Sequence, residues 1–208
     1  MLDATRLDGF GRSELDPAQI AEVAHETAAI LVRTGRAASD PELTDRLVRL
    51  VDELGLDTVA DLWAALSART LPGALWRLYV LREWVRRDAV GAGADYAAGV
   101  ARADVASVIA GAATPPGPEA MRELADTILR GVYEGDVAGA FDRAAAFCRV
   151  VAVGRAGREP DEVHVDACGR SPSPQEASSA HARSAASVLQ MGEDLAACAR
   201  LWRRGDLL

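Results

Sequence analysis

The run LPGALWRLYVLREWVRRD, residues 71–88, constrains the fold more than any other stretch of the sequence. Pro72 suits the first turn of a helix, where its missing N–H is not needed, and no Pro or Gly interrupts the run between Gly73 and Gly91. A helix of about four turns is therefore predicted. Near its start it is apolar on nearly all sides, so we expect neighbouring helices to cover it. Helical spacing places Leu78, Leu81, Trp84 and Val85 on its main apolar face.

Arg77 contradicts this pattern, because it projects from the apolar face between Leu81 and Trp84. A buried guanidinium without a partner is costly, so it must either meet a carboxylate or extend past its own stem to water. Two interpretations stay open: a structural ion pair in the core, or an anchor for an anionic ligand in a pocket. The candidate site comprises Arg77, Trp76, Trp84 and Asp104. Asp104 is the first candidate for the ion pair, followed by Asp126 and Glu26.

The remaining chain is predicted as further amphipathic helices, each bounded by capping residues or breakers. The first begins after Asp16 and ends at Gly35, and its buried face is predicted from Ile20, Val23, Thr27, Ile30 and Leu31. Later helices are predicted from Asp40 to Gly55, after Asp57 or Thr58, in the small-residue run after Gly93, from Pro118 to about Gly131, from Asp136 to about Val153 and from Ser173 to Arg204. The sequence thus predicts an all-α fold, a single-domain array of seven or eight helices around the central apolar helix at residues 71–88.

A single α-helical domain is predicted over residues 16–208, preceded by a mobile arm at residues 1–15 and interrupted by a long loop at about residues 154–173. A length of 208 residues allows one domain or two small ones, and a hydrophobic content of 50% suffices for a sizeable core. The Pro-rich linker at residues 114–118 is interpreted as a connection. The segment before it has too few large apolar residues to form a second core.

Charge and cysteine content disfavour several classes of protein. The 31 acidic and 23 basic residues leave a net charge of -8, which opposes non-specific binding to nucleic acid or to anionic membranes. Three cysteines in separate segments do not form a disulfide framework and fit a reducing interior. Residues 1–10 do not have the pattern of a signal peptide, and no apolar run reaches about 18 residues. An acidic, cytoplasmic protein without membrane attachment is therefore predicted.

The sequence EVHVDACG in the predicted loop raises the question of a metal site. An extended strand would place His164, Asp166 and Cys168 on one side, and a zinc site with an open fourth position needs three such ligands. This spacing matches no known motif. An extended surface loop or an edge strand at a dimer interface is the favoured interpretation, and neither a metal nor a cofactor is predicted.

Three functions stay open, and none of them rests on a catalytic motif. The favoured one is a helical protein-interaction or regulatory module. It is predicted to form a homodimer through the C-terminal helix, where an apolar seam recurs at near-heptad spacing: Val188, Met191, Leu195, Cys198 and Trp202. The first alternative is a binding protein or enzyme for an anionic small molecule, with a pocket near Arg77. The second is a nucleic-acid-associated regulator that uses Arg82, Arg86 and Arg87, although the acidic charge disfavours this partner.

Overall fold

Helices form nearly all of the structure, as predicted. The computed structural model describes residues 16–38, 40–102, 117–158 and 174–207. These residues form nine helices and no strand: α1 (Pro17–Ala38), α2 (Pro41–Val48), α3 (Leu50–Leu54), α4 (Leu56–Trp63), α5 (Leu71–Arg87), α6 (Ala89–Val100), α7 (Pro118–Tyr133), α8 (Val137–Ala156) and α9 (Pro174–Arg204). None of these helices is both long and apolar enough to cross a bilayer.

The central position predicted for α5 is confirmed. The Thr70 hydroxyl caps the helix by accepting the N–H of Gly73 at 3.2 Å, and Pro72 lies in the first turn. Most of the helix is buried, and it packs against α1, α4, α7 and α9. A second buried helix, α8, packs against α6 and α7 and lies along much of α9. The core is therefore arranged around two helices, α5 and α8. The sequence predicted both as helices but only α5 as central.

Helices α6 and α8 approach each other so closely that only glycine fits at two positions. A Cβ at Gly99 would lie 1.9 Å from the carbonyl oxygen of Val150, and one at Gly154 would lie 1.7 Å from the carbonyl oxygen of Asp95. The loop predicted at about residues 154–173 therefore begins too early. Gly154 serves backbone-to-backbone packing and does not end the helix, which continues to Ala156.

Two other helix boundaries differ from the prediction. The helix predicted from Asp40 to Gly55 is divided at Arg49, between α2 and α3. Gly91 lies inside α6, which begins at Ala89, whereas the sequence predicted this helix only after Gly93. Asp88 explains the difference, because its side chain accepts the N–H of Gly91 at 2.9 Å and so caps a new helix directly after α5.

Of the five positions that were predicted to face the core from α1, three are exposed, whereas Leu31 packs against the core. Ile20, Val23 and Ile30 are 39%, 51% and 49% exposed, whereas the buried positions are Ala24, Ala28, Val32 and Gly35. Small residues allow the backbone of α1 to approach its neighbours. A Cβ at Gly35 would lie only 2.9 Å from the Cβ of Tyr133 in α7. The prediction was wrong because it ranked side chains by hydrophobicity alone, whereas close helix packing selects small ones.

The apolar seam of the C-terminal helix is largely filled by the chain itself. Leu195 and Cys198 are fully buried, and α9 packs along α8, where a Cβ at Gly192 would lie 2.9 Å from the Cβ of Cys148. Much of the seam is therefore covered within one chain, and an interface through this helix stays a prediction, as does dimerisation itself.

Arg82 does not lie at the surface, where the nucleic-acid alternative needs it. It is 1% exposed. Its Nη1 and Nη2 groups donate to the two carboxylate oxygens of Asp52, each at 2.9 Å, and its Nε donates to Asp126 at 2.6 Å. Carboxylates from α3 and α7 thus compensate the charge, which makes burial of the guanidinium tolerable.

Several predictions fall outside the residues that the structure describes. These are the N-terminal arm at residues 1–15, Asp104, most of the linker at residues 114–118, and the trio His164, Asp166 and Cys168. They stay predictions, as does the single-domain organisation.

Candidate functional site

An open groove of about 580 Å³ lies between α5 and α9, and Arg77 lines it. Its other lining residues all come from α9: Arg183, Ala186, Ser187, Gln190, Met191 and Asp194. The polar members of this set recur every three or four positions, which places them on one face of that helix. The groove therefore combines cationic, neutral polar and apolar groups along one side of the long C-terminal helix.

Arg77 is half-buried, and within the described residues it forms no ion pair. Its Nη1 group donates to the carbonyl oxygen of Gly73, one turn earlier in α5, at 2.8 Å. This bond holds the side chain against its own helix and leaves the other guanidinium N–H groups available to a ligand. The pair with Asp126 is not formed, because that carboxylate binds Arg82 and Arg86. The pair with Asp104 remains untested, since this residue is not described.

Asp194 supplies a negative charge in the groove, but this charge is already compensated. The carboxylate accepts the Nε–H of Arg69 at 3.2 Å and the side-chain amide of Gln190 at 3.4 Å. Three charged residues among those described line the groove: Arg77, Arg183 and Asp194. Of these, Asp194 is paired with Arg69. An anion that enters the groove would meet two arginines without displacing an existing acidic partner.

Cys198 lies close to this groove and is not a reactive thiol. Its Sγ–H donates to the carbonyl oxygen of Ala68 at 3.4 Å. Burial raises the pKa of the thiol to about 11. The thiolate is the nucleophilic form, so Cys198 does not supply an activated cysteine to the groove.

Trp84, at the other end of α5, contacts a separate arginine cluster. The guanidinium carbon of Arg155 lies 4.8 Å from the centre of the Trp84 ring, within the range of a cation–π contact. Arg155 also donates to Asp95 at 2.7 Å and to the hydroxyl of Ser184 at 2.8 Å, and Asp95 accepts a further bond from Arg158 at 2.7 Å. This cluster connects α6, α8 and α9, and the charge of Arg155 is used within the protein.

Of the three predicted site residues that the structure describes, only Arg77 lines the groove. Trp84 packs against Arg155, Trp76 is half-buried against the core, and Asp104 lies outside the described residues. Sequence reasoning missed Arg183 and Asp194. The helical spacing of Arg183, Ser187, Gln190 and Asp194 would have indicated a polar face beside the apolar seam of α9.

A second cavity, of about 650 Å³, lies beneath α1 and is more apolar. Its apolar lining comes from Ala29, Val32, Leu71, Trp202 and Leu207, and its polar lining from His25, Glu26 and Arg33. The Nδ1 of His25 lies 2.7 Å from the carbonyl oxygen of Ala21, which assigns the N–H to this nitrogen. The two charged residues, Glu26 and Arg33, have opposite signs, so the described lining of this cavity lacks the two arginines of the groove.

No group of three His, Cys, Asp or Glu side chains that could hold a metal ion occurs in the described part of the chain. Because His164, Asp166 and Cys168 lie outside that part, the predicted absence of a metal stays a prediction.

Comparisons with known protein families, with curated proteins and with solved structures found no match. Function must therefore be inferred from side-chain chemistry.

Proposed function

We propose that the protein binds a small anionic ligand in the groove between α5 and α9, with Arg77 and Arg183 as its cationic anchors. The observation that carries this proposal is the position of Arg77, a half-buried arginine on an open groove without a carboxylate partner in the described residues. Carboxylates and phosphates are suitable ligands, because guanidinium N–H groups form charge-assisted and often bidentate hydrogen bonds with them. Ser187 and Gln190 add neutral donors and acceptors that can select among such anions.

The proposed activity is binding rather than catalysis. None of the described residues that line the groove is a histidine or a cysteine, and the Asp194 carboxylate is held by Arg69. General acid–base or nucleophilic catalysis needs a group whose pKa suits proton transfer or attack near neutral pH. The neighbouring thiol of Cys198 does not meet this requirement, because burial raises its pKa to about 11.

Thermal melts with inorganic phosphate and with citrate test the proposal. A ligand that binds only the folded state raises the melting temperature, and at one hundred times its Kd it adds about 2.7 kcal/mol of stability. Arg77→Met keeps the stem of the side chain and removes the charge. We expect this variant to melt like the wild type without ligand and to lose the ligand-induced shift.

Arg204→Met is the matched control, because this arginine lies at the exposed end of α9 and pairs only loosely with Asp206, at 3.7 Å. It should retain the full ligand-induced shift. The proposal fails if the wild type responds to neither anion, or if Arg77→Met responds as strongly as the wild type.

A helical protein-interaction module is the second candidate function, and a separate observation favours it. Ile20, Val23 and Ile30 are exposed together on one side of α1. Clustered large apolar side chains on a surface are typical of interaction sites. This surface belongs to a different helix from the anionic groove, so the two functions do not compete. The predicted homodimer remains our proposal for the oligomeric state, with α1 in place of the C-terminal helix.

The nucleic-acid alternative has no supporting observation. Arg82 is bound by Asp52 and Asp126, and Arg86 shares Asp126 at 3.4 Å. Arg87 pairs with Glu83 at 2.6 Å. These three arginines, on which the alternative depended, are therefore all paired with carboxylates of the same chain.

A reducing compartment such as the cytoplasm remains the proposed location. Cys148 and Cys198 are free thiols in the core, and unpaired cysteines of this kind are typical of reducing environments.

A further inference from the structure

One side of α1 has the spacing of a coiled-coil seam but no partner helix among the described residues. We define the α1 stripe as Ile20, Val23, Thr27, Ile30, Thr34 and Ala37, which follow one another at alternating steps of three and four positions. The large members are about half exposed, and Thr34 and Ala37 are exposed. The Thr27 hydroxyl donates to the carbonyl oxygen of Val23 at 2.6 Å, which satisfies its polar group. The stripe is therefore an apolar seam on the surface.

The charges of α1 are divided between its two halves. Glu22 and Glu26 lie in the first half, and Arg33 and Arg36 lie in the second. All four are exposed, and none forms an ion pair within the described part of the chain. At about 100° per residue, Glu26 and Arg33 lie one heptad apart on the same flank of the α1 stripe.

This pattern is complementary to itself when two copies of α1 lie antiparallel. The acidic half of each helix then faces the basic half of the other, whereas a parallel pair would oppose like charges. Side-chain size agrees with this orientation. With Thr27 of one copy opposite Ile30 of the other, Val23 lies opposite Thr34 and Ile20 opposite Ala37, so that every layer combines a larger with a smaller side chain.

We propose that two copies of this chain associate through their α1 stripes as an antiparallel, two-fold symmetric pair. In this pair Glu26 of each copy lies beside Arg33 of the other, and symmetry forms the contact twice. A partner of different sequence would need its own matching charges and sizes, whereas a second copy supplies both. The interface is independent of the anionic groove, because no residue of the α1 stripe lines the groove.

Sedimentation velocity of the full chain across the micromolar range tests the association. We expect the wild type to dimerise. Val23→Glu places a charge in the seam, and we expect it to raise the dimer dissociation constant by at least about tenfold. Circular dichroism should show unchanged helix content, since Val23 is 51% exposed. Val90→Glu is the matched control, because Val90 is 71% exposed on α6 and should not affect the dimer.

A charge exchange tests the antiparallel orientation. Glu26→Arg alone opposes arginine to Arg33 of the other copy, and Arg33→Glu alone opposes glutamate to Glu26, so each variant should dimerise more weakly than the wild type. When the two variants are mixed, both contacts again join opposite charges. We therefore expect the mixture to form heterodimers in preference to either homodimer, a result that a misfolded variant would not produce.

The proposal is overturned if the wild type remains monomeric across this range, or if Val23→Glu dimerises like the wild type. It is also overturned if Leu189→Glu, on α9, dissociates the dimer while Val23→Glu does not, because the interface would then lie on the C-terminal helix. The absence of heterodimers in the mixture would contradict the antiparallel register. Arg77→Met should dimerise normally, so failure of the anion proposal and failure of this one are distinguishable.

Discussion

Two arginines of α5 show how the location of a partner decides what a charged residue does. Arg82 is 1% exposed, and its guanidinium is bound on both edges by Asp52 and Asp126. Arg77, on a different side of the same helix, is only half-buried and binds a backbone carbonyl. The first arginine is part of the core because two other helices bring carboxylates to it. The second remains available to a ligand because no described carboxylate reaches it.

The Arg82 ion pair makes stability depend on pH. Hydrogen bonds from Arg82 hold the pKa of Asp52 below its usual value of 3.8. A carboxyl whose pKa is lowered by folding stabilises the folded state above the unfolded-state pKa, and this stabilisation is lost as the pH falls through the folded-state pKa. We expect Asp52→Asn to lower the free energy of unfolding at neutral pH by about 1 kcal/mol, the size of a partly solvated charged hydrogen bond.

Denaturant titrations at neutral and acidic pH measure this effect. The difference between wild type and Asp52→Asn should shrink as the pH falls below 3.8, because the unfolded wild-type chain then takes up a proton at Asp52 that the folded protein binds only at lower pH. Glu119→Gln is the control, since this side chain is 87% exposed and its pairing with Arg122 contributes little. A difference that stays constant at all pH values would show that the Asp52 charge does not stabilise the fold.

The helical periodicity of the sequence could identify Arg77 as a charged residue on an apolar face. It could not predict that Arg82 is buried in an ion pair. Helical spacing alone places Arg77 among apolar neighbours, and that conclusion needs no knowledge of other helices. The burial of Arg82 depends on Asp52 and Asp126, which are 30 and 44 positions away in the chain. Contacts at such separations are set by helix packing, which local patterns do not contain.

At the scale of the helices, side-chain size decided more than hydrophobicity. The existence of α5 and α7 followed from their apolar period and their capping residues. The orientation of α1 did not, because the helix turns Ala24 and Ala28 inward and leaves Ile20 and Val23 at the surface. A sequence pattern ranks isoleucine above alanine, but two helices can approach closely only where both present small side chains. The same preference explains why Gly154 lies inside α8.

Gly154→Ala and Gly131→Ala provide a matched test of this packing, since both glycines lie within helices. A Cβ at Gly154 would lie 1.7 Å from a backbone oxygen of α6. One at Gly131 would lie 2.3 Å from the end of the Arg143 side chain and 3.4 Å, an ordinary contact distance, from the Cβ of Ala140. We expect Gly154→Ala to destabilise the protein by about 1–3 kcal/mol or more through overpacking.

Gly131→Ala should be neutral or stabilising, because alanine is favoured over glycine in a helix by about 1 kcal/mol and the Arg143 side chain can move. Thermal or denaturant unfolding measures both values. Equal effects of the two substitutions would contradict the view that α6 and α8 are locked together at Gly154.

At the scale of the whole molecule, buried polar contacts connect the helices before α5 with those after it. The Tyr79 hydroxyl on α5 donates to the carbonyl oxygen of Leu47 on α2 at 2.6 Å. Its single proton is thus used, so the Tyr133 hydroxyl on α7 must be the donor in the 2.6 Å bond between the two tyrosines. Burial raises the pKa of both hydroxyls, which keeps them protonated. This chain of hydrogen bonds joins three helices and favours cooperative unfolding.

The predicted single domain is therefore testable by following both halves of the molecule during unfolding. Trp63 lies buried on α4 beside Tyr79, and Cys148 and Cys198 are buried on α8 and α9. Burial raises the pKa of these thiols to about 12 and about 11 respectively, so they should not react with a thiol reagent in the native state. Cys168→Ser removes the third thiol, and Trp202→Phe removes the tryptophan on α9, so that fluorescence reports on α4 and α5; this double variant is the one to use. We expect tryptophan fluorescence, thiol reactivity and circular dichroism to change at the same denaturant concentration, as a single cooperative unit requires. Thiols that become reactive at a lower concentration than the fluorescence change would divide the chain into two domains.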